Sequence, residues 1–133
     1  MEKVYPKPLP VIHAMLICDK IITDADNKKK SLIGIFDTIY YEQLPLYLPE
    51  LWIYINLADV FAQFDIKLEL IYLKDSYKIL EIKRTLKPTQ KTNWEIAFFL
   101  TGVVFKKEGI YAFRFWMDED IIGEKYIYVR RAE

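Results

Sequence analysis

Glycine is scarce, with 4 in 133 residues, and Gly34, Gly102, Gly109 and Gly123 stand singly. That excludes a collagen-like or low-complexity chain and leaves no phosphate-cradling glycine loop. Cys18 is the one cysteine, so no internal disulfide can form, and a reducing compartment is the economical expectation. His13 is the one histidine. One imidazole and one thiol fall short of the usual zinc site. Five residues apart on one predicted strand, they face opposite ways and make no catalytic dyad. His13 is expected to be a partly buried residue at a strand start. Cys18, on the same face as Ala14 and Leu16, is expected to be a small core residue. Neither sign of charge is in excess, at 19 Lys plus Arg against 19 Asp plus Glu, so no overall field would attract nucleic acid or an anionic membrane. No apolar run approaches the roughly 20 residues of a membrane helix. The run 11–18 is short, interrupted by His13 and followed by Asp19 and Lys20, with no small-residue cleavage site. The expectation is a cytoplasmic chain with no catalytic residue, cofactor or metal.

What the chain has in quantity is apolar and aromatic residues, 53% and 16% of the total. One domain of this length can bury a core without a metal or disulfide staple. Residues 1–10, with Pro6, Pro8 and Pro10, read as an extended arm, and 11–133 as a single domain. Strand-sized apolar segments then alternate with polar or proline-bearing breaks, and no stretch keeps helical spacing. Eight strands are predicted, at 11–23, 31–42, 51–58, 64–73, 78–86, 93–104, 110–117 and 121–130. Turns are predicted at 24–30, at Pro45 and Pro49, and at 74–77, 88–93 and 118–120. Ile66, Leu68, Leu70 and Tyr72 alternate with Asp65, Lys67, Glu69 and Ile71. Trp94, Ile96, Phe98 and Leu100 likewise alternate with Glu95, Ala97, Phe99 and Thr101. Half-buried strands of this kind hide their apolar sides by stacking two sheets. The expected class is all-β, a two-sheet antiparallel sandwich.

Glu108-Gly109-Ile110-Tyr111-Ala112-Phe113 is the most specific stretch. It resembles the tyrosine corner of immunoglobulin-like sandwiches, in which the Tyr hydroxyl bonds backbone near the strand start. Gly109 and Tyr111 carry that resemblance. No inward tryptophan on 51–58 accompanies it, because Trp52 is out of phase with Ile53, Ile55 and Leu57. A wider resemblance rests on 13–19 (His-Ala-Met-Leu-Ile-Cys-Asp), 31–37 (Ser-Leu-Ile-Gly-Ile-Phe-Asp), Gly109-Ile110-Tyr111 and the closing hairpin. These look like a family of small bacterial proteins known only as a domain of unknown function. The resemblance implies a bacterial, intracellular, immunoglobulin-like β-sandwich and carries no activity.

Candidate chemistry is sparse. Asp24, Asp26 and Asn27, and Asp118, Glu119 and Asp120, form two acidic loops, neither spaced like a twelve-residue calcium loop. Asp19 and Asp37 could approach across a hairpin turning at 26–28 and share a raised pKa. The outer faces are more telling. If the last hairpin pairs residue 118 with 122, Tyr111, Phe113, Ile127 and Val129 lie inside. Arg114, Trp116, Tyr126 and Tyr128 then face out, with Ala112 and Glu124. With strand 51–58 beside that hairpin, as in an immunoglobulin topology, Trp52, Tyr54 and Asn56 would join the same surface. Six residues, Trp52, Tyr54, Arg114, Trp116, Tyr126 and Tyr128, would form one aromatic docking face of interface composition. The arm or the Pro45–Pro49 loop could instead cover it. The function expected is a protein-binding or assembly module, a homodimer or a partner of another protein. The alternative is a domain binding a small molecule, carbohydrate or calcium through its acidic loops, or a weakly signalled enzyme.

Overall fold

The computed structural model describes residues 8–90 and 92–133. Most of the expected arm, residues 1–7, lies outside them. Among the described residues there are nine strands and no helix: β1 Val11–Thr23, β2 Lys30–Ile35, β3 Thr38–Tyr41, β4 Leu46–Val60, β5 Phe64–Tyr72, β6 Tyr77–Leu86, β7 Thr92–Phe105, β8 Gly109–Met117 and β9 Asp120–Arg131. They form a four-stranded sheet in the order β2-β1-β4-β7 and a five-stranded sheet in the order β3-β9-β8-β5-β6. All neighbours are antiparallel except β3 and β9, which run parallel.

Two apolar faces drive the stacking. Ile17, Leu51, Ile53, Ile55, Leu57, Phe98 and Leu100 from one sheet meet Ile66, Leu68, Leu70, Phe113, Phe115, Ile127 and Val129 from the other in one buried cluster. The Phe98 and Phe115 rings lie 6.4 Å apart, edge to face, across the interior. The guanidinium of Arg84 lies 4.9 Å from the Phe98 ring centroid. The strand rows predicted to face inward on β4, β5, β7 and β8 are buried, apart from half-buried Trp94 at the start of β7.

Several sequence expectations are corrected. The strand read at 31–42 is two strands in different sheets. β2 ends where the Phe36 amide donates to the Ile17 carbonyl, and the next step belongs to the other sheet, where the Tyr128 amide donates to the Asp37 carbonyl. Alternation continues through such a crossover and cannot reveal it. Gly34, at φ 69°, was the available signal of irregularity. The break predicted at Pro45 is present, as a bend over 42–45, but Pro49 lies inside β4, which pairs with β7 from Leu46↔Phe105 onward. Pro49 sits where the ladder skips from Leu48↔Val103 to Glu50↔Thr101, opposite Gly102, so a residue without an N–H is accommodated there. Residues 46–49 are therefore in a sheet and do not fold over an outer face as a loop.

The closing hairpin pairs Met117 with Asp120 and, past an irregularity, Phe115 with Gly123 and Tyr111 with Ile127. The expected register, 118 with 122, set Tyr111 against Val129. The offset is two residues, which preserves the faces. Tyr111, Phe113, Ile127 and Val129 are all buried. Ala112, expected outside, is also fully buried, because its small side chain sits between Ile71 and Tyr126 in neighbouring strands.

Candidate functional site

The six-residue aromatic face does not exist as one surface. β4 lies between β1 and β7 in the four-stranded sheet, whereas β8 and β9 belong to the other. Trp52 and Tyr54 point away from the core on one side of the protein; Arg114, Trp116, Tyr126 and Tyr128 do so on the other. Sheets stack about 10 Å apart, so the two groups cannot merge. Alternation says which residues avoid the core, but not which sheet a strand joins.

The two half-faces differ in chemistry. On the five-stranded sheet the aromatics are set in a charge network. Glu69, only 4% exposed, accepts from the Trp116 indole N–H at 2.5 Å and from Lys78 Nζ at 2.9 Å. Lys67 Nζ lies 3.9 Å from Glu69 and 4.5 Å from the Trp116 ring centroid. Burial pushes the Glu69 carboxyl up, but the hydrogen bonds from Lys78 and Trp116 and the nearby Lys67 charge outweigh it and hold its pKa below the ordinary carboxylate value. Arg114 Nε donates to Glu124 at 2.7 Å, and Arg130 lies over Tyr128. Tyr126 bonds Glu124, which raises its phenol pKa. These side chains have their partners within the chain.

The four-stranded sheet is more apolar. Cross-strand register sets Ile35, Cys18, Trp52 and Phe99 in one row across β2, β1, β4 and β7. The Trp52 and Phe99 rings pack with centroids 4.6 Å apart. Ile35 is 57% exposed and Phe99 46%, while Cys18 between them is fully buried. Burial raises the Cys18 thiol pKa, and its Sγ lies 3.6 Å from the Lys20 carbonyl. This row was half legible. Phe99 fell on the outward phase of its strand, but Ile35 became its neighbour only through the hairpin register. Next to the row, Tyr54 donates a short hydrogen bond to Glu95 and accepts one from Asn56. Lys30, at the start of β2, lies 3.9 Å from the same Glu95 on β7. Two strands separate β2 from β7, some 14 Å in a flat sheet, so the β1–β2 hairpin curls toward the outer face near Tyr54.

A family model matches residues 13–130, described as a family of unknown function, DUF6941. The chain belongs to that family. No curated protein matches it.

In this DUF6941 chain the turn before β8 is held by three tyrosines. The Tyr111 hydroxyl donates to the Lys107 carbonyl at 2.5 Å, Tyr72 donates to the Glu108 carbonyl at 2.8 Å, and Tyr41 donates to the Glu108 carboxylate at 2.9 Å. Gly109 has φ 134°, and a Cβ there would approach Tyr72 to 3.0 Å, so glycine is required.

The remaining candidates separate. His13 is exposed at a bulge in β1, rather than partly buried. Asp19 faces Gly34 across the hairpin, while Asp37 lies on the crossover, with its side chain accepting from Thr38; the proposed carboxylate pair is not assembled. The Asp24 carboxylate accepts from the Asp26 and Asn27 amides, which lowers its pKa and spends it on the turn. Asp118 accepts from the Asp65 amide. No group of three His, Cys, Asp or Glu able to hold a metal occurs among the described residues, nor any helix long and apolar enough to cross a membrane. A cleft of about 590 Å3 opens between the edges of β6 and β7, lined by Tyr72, Tyr111, Ile79, Leu80, Val103 and Lys107 among others.

Proposed function

We propose that this chain is a non-enzymatic assembly module that pairs with a second copy of itself through the part of the four-stranded sheet around Trp52 and Phe99. The carrying observation is the Trp52–Phe99 stack, continued by Ile35, on a rigid sheet. Half-exposed aromatic and aliphatic groups of this kind dock with little loss of side-chain freedom. With 19 charges of each sign, two copies meet without net repulsion. The single reduced thiol suits a bacterial cytoplasm. The Tyr111–Lys107 bond and the stacked sheets support an immunoglobulin-like kinship for the fold. Light scattering across a concentration series tests the pairing. A mass of twice 15.9 kDa that reverts to one chain in Phe99→Arg supports it. One chain mass throughout contradicts it.

A second reading, small-molecule binding, is favoured by the cleft between β6 and β7, whose volume falls in the range of ligand pockets. A thermal-shift screen over apolar and amphiphilic compounds tests it. A ligand whose stabilisation is lost in Leu80→Arg supports it, and no shift from any compound contradicts it.

A further inference from the structure

The outer strands of the two sheets are unequally protected. An open strand edge exposes a row of backbone donors and acceptors that can template another strand, and folded chains blunt such edges with charge, bulges or brevity. β3 has four residues. β2 has six, begins at Lys30 and is kinked by Gly34 at φ 69°. β6 carries Lys78, Glu81, Lys83 and Arg84 and has an irregular register against Leu70 and Ile71. β7 differs from all of them. It runs for 14 residues with Glu95 as its one charge, and its first ten, Thr92–Thr101, precede the kink at Gly102, φ 65°. Its inner edge is satisfied by β4, and among the described residues no strand lies on its outer edge.

We infer that β7 adds edge to edge to β7 of a second copy, antiparallel about a two-fold axis near Phe98, joining two four-stranded sheets into one eight-stranded sheet. The segment is self-complementary in that register. Ala97 meets the second copy's Phe99, and Glu95 meets its Thr101, so no like charges oppose one another. The Trp52–Phe99 stack of each copy then lies beside the axis, and the two stacks form one continuous aromatic surface. Backbone hydrogen bonds supply the pairing and the aromatic rows fix its register. The inference rests on the pairing proposed above and adds its geometry.

Amide hydrogen exchange, measured by NMR at low and high protein concentration alongside light scattering, tests it. Every second amide within Thr92–Thr101, those directed away from β4, should gain tenfold or greater protection as the dimer forms, while the other edges stay unchanged. A dimer whose outward β7 amides keep the monomer's exchange rate overturns the edge geometry and leaves the pairing around Trp52 and Phe99 standing. A chain that remains monomeric overturns both.

Discussion

The Tyr111 hydroxyl donates to the Lys107 carbonyl at 2.5 Å and also lies 3.3 Å from the Lys107 amide, so one phenol closes the turn that launches β8. Its ring is buried against Phe105, edge to face at 4.9 Å, and beside Tyr72 at 4.8 Å. Tyr111→Phe keeps that packing and removes only the hydroxyl. The expected loss is about 0.5–1.5 kcal/mol, the net contribution of one hydrogen bond to a carbonyl at exposed Lys107 that water can replace in part. Urea unfolding should show a lower midpoint with an unchanged slope.

Glu69 predicts an acid limb. Its pKa in the folded chain is depressed from the ordinary 4.5, so its contribution is complete above that value and lost as pH falls through the folded pKa. Glu81 and Glu124 are depressed too, each first by a hydrogen bond from its partner, Lys78 or Arg114. Stability of the wild type should fall steadily below pH 4.5. Glu69→Gln should be less stable at neutral pH and show a shallower acid limb. An identical acid limb in both would place the titration elsewhere.

Gly34 adopts φ 69°, and a Cβ there would collide with the Asp19 carboxylate. Gly34→Ala should cost about 1–2 kcal/mol from the left-handed backbone alone. Adding Asp19→Ala removes the collision and should recover only the part of the loss that exceeds the backbone cost. Full recovery in the double variant would mean that the backbone conformation contributes nothing.

Cys18 should be inert in the folded state. It is fully buried and burial raises its thiol pKa, so little thiolate is exposed to attack. A thiol reagent should label no cysteine in native protein and one per chain in denaturant. Rapid labelling of the native chain would show that the row Ile35–Cys18–Trp52–Phe99 opens.

Local patterning carried most of the fold. Alternation in 64–73, 93–104 and 110–117 identified buried rows that the structure keeps, because a two-residue period depends only on which side faces water. It even survived the two-residue slip in the closing hairpin. What alternation lacks is long-range information. It could not tell that 31–42 changes sheets between Ile35 and Thr38, or that β4 lies between β1 and β7. The docking surface suffered most from this, since Trp52 and Trp116 were each correctly turned outward yet belong to opposite sides. Phe99 was visible as an outward aromatic, but its partner Trp52 became apparent only with the β4–β7 register.

The assignment of association to one side and not the other is tested most directly by the indole N–H resonances of Trp52 and Trp116, assigned with single Trp→Phe variants and followed as protein concentration rises. Trp52, against exposed Phe99, should shift or broaden, while Trp116, bonded to buried Glu69, should stay fixed. Movement of the Trp116 signal with Trp52 unchanged, or of neither, would contradict the account.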